Sequence, residues 1–170
     1  MHHLRSTLAL VAVIGLIAIG HSAAFAQTKG DKKKASAAPK QSAMVYVHLV
    51  DNTPKNYGNW YNPFYTPLKA RFGDGLKVHP SVAEAMKVAK DGDAVVVLSG
   101  AYDAKEKRYL FSLVINVQEK LASGTSTLSY LTGTAGISTE ATAQADAVSG
   151  ATIIVNACDQ LVKSGRVKQR

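Results

Sequence analysis

The stretch Tyr109-Leu110-Phe111-Ser112-Leu113-Val114-Ile115-Asn116-Val117 decides the fold class of this chain. Every odd position in it is apolar, which is the alternation of a β-strand that buries one of its two faces. A β-rich apolar run over residues 94–98 precedes it, and the polar residues 103–107 predict a turn between the two strands. The sequence therefore predicts an antiparallel hairpin as the framework of the domain.

Strands on both sides of the hairpin extend this sheet. Residues 44–50 read as a short strand, with Val45, Val47 and Leu49 on its core face and His48 pointing away from the core. A further strand is predicted at about residues 125–132, followed by a flexible Gly/Thr/Ala-rich approach to the C-terminal part.

Two helices are predicted to pack against the sheet. Ser81 and Glu84 have the spacing of a capping box, which favours a short helix through Lys90. The second helix is predicted over residues 151–163, where apolar positions recur at spacings of three and four, and Gly165 supplies its stop. These elements predict an α+β fold with a mainly antiparallel sheet, packed helices and a single small domain.

The segment between the first strand and the capping box is rich in Asn, Pro, Gly and aromatic residues. Residues 52–75 are therefore predicted to form a turn-rich region. Their aromatic side chains are expected to cover the core, and the segment is also a candidate wall for a planar ligand.

The N-terminal residues have the pattern of an export signal. Arg5 precedes an apolar run over residues 7–20, and Ala24-Phe25-Ala26 fits the small-x-small cleavage rule. Residues 1–26 are therefore predicted to be a signal peptide that is cut after Ala26, which places the mature chain in the periplasm or outside the cell. An uncleaved anchor is the minority interpretation, because the apolar run is short for a membrane span.

The formal net charge of +8 comes from the ends of the chain. Residues 43–162 contain 10 basic and 11 acidic side chains, whereas residues 27–42 contain five lysines and one aspartate. The sequence predicts a basic flexible linker over residues 27–42, a domain over residues 43–165 and a basic tail over residues 166–170. Export excludes nucleic acid as a partner, while the basic segments favour at most weak association with a membrane surface.

Cysteine and histidine offer little chemistry in the sequence. Cys158 is the only cysteine, so an intramolecular disulfide is excluded, and its place on an apolar helix face predicts a buried thiol. His48 and His79 are too few and too far apart in sequence to predict a metal site, and we expect them to be ordinary structural or surface residues. No catalytic set of Ser, His and Asp, paired carboxylates or Gly-rich phosphate loop is evident.

The residues that carry a functional signal lie at the start of the second predicted helix. They are Asp146, Ser149, Gly150, Ala151 and Thr152. Thr152 is predicted to fall in the first helical turn, where free backbone N–H groups and the helix dipole favour a phosphate. Ser149 is predicted to be the N-cap. A purely structural interpretation, with cap, bend and small packing residues, uses the same side chains.

This set resembles the FMN-binding domain family, which includes covalently flavinylated subunits of sodium-pumping NADH:quinone reductases and of Rnf electron-transport complexes. The family signature is Asp-x-x-Ser/Thr-Gly-Ala-Thr followed by a helix, and every fixed position is present here. The resemblance implies that Thr152 is esterified by the phosphate of FMN. It also implies that a separate flavin transferase makes this bond, with FAD as the donor and with Mg²⁺.

The resemblance predicts an exported flavoprotein that relays electrons between redox partners, rather than a stand-alone enzyme. A second, weaker resemblance covers residues 81–111, whose pattern is similar to small periplasmic OB-fold proteins. It implies a non-redox module for ligand binding or envelope interaction. A third hypothesis is an accessory subunit that keeps the FMN-domain fold without the modification.

Overall fold

The predicted hairpin lies at the centre of a sheet in the computed structural model, which describes residues 43–170. The predicted signal peptide and linker lie outside the described residues. The described residues form the strands β1 (Val47–Asn52), β2 (Leu76–His79), β3 (Ala94–Asp103), β4 (Arg108–Lys120) and β5 (Ser126–Thr139). Their helices are α1 (Gly58–Phe72), α2 (Val82–Val88) and α3 (Ala143–Lys163).

The sheet is open and mixed, with the strand order β2-β1-β3-β4-β5. β3 and β4 pair antiparallel from Ala94↔Val117 to Asp103↔Arg108, as the alternation predicts, and β4 also pairs antiparallel with β5. β1 pairs parallel with both β2 and β3. The prediction of an α+β domain is confirmed, while the prediction of a mainly antiparallel sheet holds only for the β3-β4-β5 half.

Helices α1 and α3 cover one face of this sheet and enclose the main core. The odd positions of β4 contribute to that core, as predicted, and α1 adds large aromatic anchors to it. The largest fully buried side chains of this core are Trp60, Tyr57, Tyr109, Phe64, Leu49 and Leu68. Tyr57 also donates a hydrogen bond from its hydroxyl to the backbone oxygen of Leu110, at 2.6 Å.

Helix α2 lies on the opposite face, where it packs on a smaller apolar cluster. Ala85 of α2, Val50 of β1 and Val95 of β3 form its buried centre. The predicted cap is present, because the Ser81 hydroxyl accepts a hydrogen bond from the Glu84 N–H at 3.2 Å. α2 is short, so much of this face of the sheet lies beyond it.

The prediction of a turn-rich region over residues 52–75 is wrong. Most of this segment is the helix α1, although Pro63 and Pro67 lie inside it. The buried residues of α1 are Trp60, Phe64, Leu68 and Phe72, at a constant spacing of four. Burial of this stripe outweighs the cost of the prolines, each of which costs a helix about 3 kcal/mol in missing hydrogen bonds and steric conflict. The expectation that the aromatics cover the core is confirmed for Trp60 and Phe64.

The C-terminal helix begins eight residues earlier than predicted, because α3 starts at Ala143 rather than at Ala151. Small residues continue its buried stripe toward the N-terminus, with Ala143, Ala147 and Gly150 all buried. The predicted stop is correct: Gly165 has a φ of +74°, and its N–H donates to the backbone oxygen of Val162 at 3.0 Å.

Residues 166–170, predicted as a basic tail, pack on the domain. Val167 is buried, and Gln169 forms an isolated antiparallel bridge with Val45. Met44 and Arg170 exchange two backbone hydrogen bonds, of 2.7 and 3.0 Å. The segment thus ties the C-terminal part of the domain to the residues that precede β1.

The sheet differs from the barrel that the OB-fold resemblance implies. β2 and β5 are the two ends of the strand order in the described residues, so the sheet is not closed on itself. None of the helices within residues 43–170 is both long and apolar enough to cross a membrane.

Burial should protect the single cysteine from thiol reagents. Cys158 is fully buried in the core, and burial raises the pKa of its thiol to about 12. We expect the native protein to resist a water-soluble thiol reagent at pH 8, because the reactive thiolate is scarce and inaccessible. One thiol per chain should react in denaturant. Stoichiometric labelling of the native protein within minutes would contradict the described packing of α3.

Candidate functional site

The motif residues lie along the N-terminal half of α3 instead of at its start. Ser149 and Thr152 are exposed, and each donates a hydrogen bond from its hydroxyl to the backbone oxygen four residues earlier. The acceptors are Ala145 and Val148, both at 2.9 Å. Asp146 lies in the first turn of the helix.

The prediction that Ser149 caps the helix and that Thr152 lies in its first turn is therefore wrong. Thr142 is the residue at the N-cap position, and the helix continues through the whole motif. The backbone N–H groups near Thr152 are used inside the helix, so they do not form the phosphate site expected at a helix N-terminus.

Gly150 and Ala151 face the core. A Cβ atom on Gly150 would lie 3.2 Å from Leu113 Cδ1 and 3.7 Å from both Phe64 Cδ2 and Trp60 Cη2. The glycine therefore lets α3 approach the sheet and α1 closely. Gly150 and Ala151 therefore have a packing role in the structure.

The outer face of α3 carries the remaining motif chemistry. Val148 and Ile153 are 42% and 47% exposed, and they flank Thr152 together with the exposed Ser149 and Asn156. The surface around the Thr152 hydroxyl is thus partly apolar and partly hydrogen-bonding. Thr152 itself is exposed.

Two aromatic residues that could be considered for a ring wall, Trp60 and Tyr130, lie away from Thr152. Trp60 is fully buried, and its indole N–H donates to the Ser138 hydroxyl at 3.2 Å. Tyr130 is 65% exposed, but it pairs with Asn116 on the sheet face opposite α3. Neither residue can form a wall beside Thr152.

A second group of polar residues, which sequence reasoning missed, lies at the parallel side of the sheet. His48 Nδ1 is 2.9 Å from His79 Nε2, and His48 Nε2 is 3.1 Å from Asp93 Oδ2. His48 and Asp93 are buried, at 4% and 1% exposure. The three side chains form one continuous hydrogen-bonded chain, which we call the Asp93–His48–His79 relay.

Asp93 is the fixed end of this relay. Its Oδ2 atom also accepts the Lys90 backbone N–H at 2.8 Å, and its Oδ1 atom accepts a hydrogen bond from the Arg170 guanidinium. The Arg170 guanidinium in turn lies over the ring of Tyr46, 4.6 Å from its centroid. A buried carboxylate is thereby satisfied by three donors, which is the condition for keeping it in a protein interior.

This hydrogen-bond order selects the tautomers of neutral imidazoles. Asp93 accepts, so His48 carries its proton on Nε2 and presents the lone pair of Nδ1. His79 then donates from Nε2 to His48, which leaves the lone pair on His79 Nδ1. The relay presents a hydrogen-bond acceptor at its His79 end.

A cavity of about 530 Å³ opens beside the relay. We call it the His79 cavity. It is lined by Tyr46, His48, Lys77, Val78, His79, Val88, Lys90, Asp93 and Arg170. Its walls come from β1 and the residue before it, from β2, from the end of α2 and the segment that joins α2 to β3, and from the C-terminal residues.

The structure brings His48 and His79 together, although they are far apart in sequence. The parallel pairing of β1 with β2 places Val50 beside His79, and His48 lies two residues away on the same strand face. His79 and Asp93 are 31 and 45 residues from His48 in sequence, so no local spacing of residues predicts the contacts. The one available signal was a histidine inside an apolar strand, since buried polar side chains need partners.

Within residues 43–170, no group of three or more His, Cys, Asp or Glu side chains has a geometry that could hold a metal ion. Comparisons with protein-family models and with curated proteins give no match for this chain. The functional hypotheses therefore depend on the motif and on the geometry described above.

Removal of the Asp93 charge should destabilise the domain. In Asp93→Asn, the Arg170 guanidinium loses its anion, and the amide NH2 that replaces one carboxylate oxygen cannot accept the hydrogen bonds made there. We expect a loss of about 1–3 kcal/mol in the free energy of unfolding, measured by urea denaturation. Asp74→Asn is the control, because Asp74 is 89% exposed and its pair with Lys69 is a surface ion pair. Equal urea midpoints for the two variants would contradict a stabilising role of the buried Asp93 carboxylate.

The His79 environment also predicts a dependence of stability on pH. Desolvation by burial and the neighbouring His48 lower the pKa of His79 below 6.5, against a smaller opposite effect of Glu84. The unfolded chain then takes up a proton at a higher pH than the folded chain. Stability from the neutral imidazole is present above pH 6.5 and is lost as the pH falls through the folded pKa. Urea denaturation at several pH values gives the free energy of unfolding as a function of pH. In that range the plots for the protein and for His79→Gln should differ in slope, and parallel plots would contradict the prediction.

Proposed function

We propose that this chain is an exported flavoprotein that holds FMN covalently on Thr152 and relays electrons between redox partners. The observation that carries the proposal is the complete motif from Asp146 to Thr152, with an exposed hydroxyl at its acceptor position. Exposure matters because a transferase must reach the oxygen before a bond can form.

The attachment is a phosphoester made by a separate flavin transferase. The bond from Thr152 Oγ1 to the FMN phosphorus forms as the pyrophosphate bond of FAD breaks, AMP leaves, and the hydroxyl loses its proton. The Thr152 hydroxyl must first give up its hydrogen bond to the Val148 oxygen, which is a modest loss of about 1 kcal/mol. Thr152 acts as a tether and performs no catalysis.

The residues around Thr152 fit a tether better than a closed pocket. Ser149 and Asn156 lie one turn away on the same exposed side, where they can hydrogen-bond to a phosphate. Val148 and Ile153 offer apolar surface to a ring system. When bound, FMN supplies the redox chemistry, and the protein supplies attachment and orientation. The covalent bond replaces the enclosure that retains a free cofactor.

The proposal implies particular partners and a location. A flavin transferase matures the protein, and a redox partner exchanges electrons with it in the periplasm or outside the cell. Weak association with a membrane surface fits the basic residues 27–42, and nucleic acid is not a partner. A role as an electron-transfer domain or subunit needs no nucleophile or general base on this chain.

A second candidate function is a non-redox module that binds a ligand outside the cytoplasm. The His79 cavity favours it, because buried polar residues converge there with two lysines that form no ion pair among residues 43–170. This candidate requires no modification of Thr152.

Intact-mass measurement tests the flavin proposal. The mature chain, coexpressed with a flavin transferase in the periplasm of a host, should gain the mass of one FMN less one water and turn yellow. Thr152→Ala should lose both the mass and the colour. An unchanged mass in the unsubstituted protein would reject the proposal, and redox titration of the yellow protein would then measure its capacity to carry electrons.

Thr66→Ala is the matched control for this experiment. Thr66 is an exposed helical threonine whose hydroxyl donates to the Asn62 backbone oxygen at 3.0 Å, which is the geometry of Thr152 without the motif. The control should keep the full mass increment. If it lost the increment as Thr152→Ala does, attachment would not be specific to the motif.

A further inference from the structure

We propose that the His79 cavity is a binding site for a small organic anion with an apolar or aromatic body. This inference deepens the second candidate function by naming the class of ligand. It rests on the cavity alone and does not require flavin on Thr152, so the two proposals can fail separately.

The charges of the lining residues select an anion. Lys77 and Lys90 line the cavity, and neither ammonium group lies within 4.0 Å of a carboxylate among residues 43–170. The third cation, Arg170, is paired with Asp93, which is the only side-chain carboxylate among the described residues of the lining. The cavity therefore has an excess of positive charge, and a concave site of one sign concentrates ions of the opposite sign.

The apolar part of the lining indicates that the anion is organic. Val88, at the end of α2, is 54% exposed, and it lies in the lining together with Val78. Tyr46 adds an aromatic ring that is braced by the Arg170 guanidinium. A volume of about 530 Å³ lies in the range of small-molecule sites, which is about 300–1,000 Å³. An inorganic ion alone would leave this apolar surface in contact with water.

The relay gives the site a fixed polar contact. His79 is held by His48, which is held by the buried Asp93, so the orientation of the outer imidazole is set before a ligand arrives. Preorganised groups of this kind lower the cost of ordering on binding. A hydroxyl of the ligand can donate to His79 Nδ1, while the two lysines contact its anionic group.

The cavity is separated from Thr152 by the sheet. His48 alternates along β1 with Val47 and Leu49, which belong to the core beneath α1 and α3. The cavity is therefore on the face that carries α2, and α3 lies on the other face. A ligand in the cavity and a group on Thr152 do not compete for space.

Calorimetry on the mature, unmodified chain tests the inference, with salicylate, phenyl phosphate and benzoate as anionic probes and benzyl alcohol as the neutral probe. We expect saturable binding of at least one anion and none of the neutral compound. Tighter binding of phenyl phosphate would assign a phosphate-type ligand, and tighter binding of benzoate or salicylate a carboxylate.

Substitutions locate the binding within the protein. The double variant Lys77→Gln/Lys90→Gln should bind the preferred anion at least tenfold more weakly. Lys163→Gln removes one exposed lysine from α3 on the other face and should leave the affinity unchanged. Unfolding curves of each variant verify that it is folded. The inference is overturned if no anion saturates, if the neutral probe binds equally well, or if the double variant binds as the unsubstituted protein does.

The ¹⁵N resonance of the His79 imidazole reports directly on binding in the cavity, and a merely structural effect of the lysine substitutions would not change it. In the folded protein, addition of the preferred anion should shift the ¹⁵N resonance of His79 Nδ1, and this shift should be absent in the double lysine variant. An unchanged His79 resonance at saturation would place the ligand elsewhere and reject the site.

Discussion

Close approach of α3 to the sheet at Gly150 is the constraint on which the rest of this domain depends. A Cβ atom at position 150 would lie 3.2 Å from Leu113 Cδ1, so the glycine lets the helix bury Ala147 and Ala151 without displacing that side chain. Close-packed interiors tolerate added volume poorly. The same rotation of the helix that turns its small residues inward turns Ser149 and Thr152 outward. The rotation of α3 thus determines both the packing of the small motif residues and the exposure of Ser149 and Thr152. The small residues have a structural explanation even if Thr152 serves as a tether.

Secondary-structure elements were predicted best from the sequence where large apolar residues recur at a short, regular spacing. Alternation in β4 gave the hairpin, and the capping box gave the start of α2. Prediction failed where other signals masked this spacing. In α1, Pro63 and Pro67 suggested turns, while the spacing of four from Trp60 to Phe72 carried the helix. In α3, alanine and glycine continued the stripe without the bulk that marks a core position. β5 extends to Thr139 through Gly- and Thr-rich residues that predicted a flexible approach.

The candidate sites differ in the same way. The motif from Asp146 to Thr152 is contiguous, so the sequence offered it directly, but its position within the helix depended on packing that only the fold reveals. The Asp93–His48–His79 relay joins residues that are 31 and 45 positions apart through parallel strand pairing. Such pairing leaves no local pattern. The fold therefore supplies two separate chemical environments, an exposed hydroxyl on one face of the sheet and a cationic cavity on the other.

The outer strand β5 has one more consequence, which concerns solubility. Its 14 residues include no Lys, Arg, Asp, Glu or Pro, and within residues 43–170 its outer edge pairs with no other strand. Proteins commonly use charge or proline to keep such edges from joining neighbouring chains. Here the irregularity opposite Ile115 and Asn116 bends the ladder, and bound water must satisfy the amide and carbonyl groups that face outward. Conditions that withdraw water, such as high salt or drying, therefore favour pairing of this edge with a neighbouring chain.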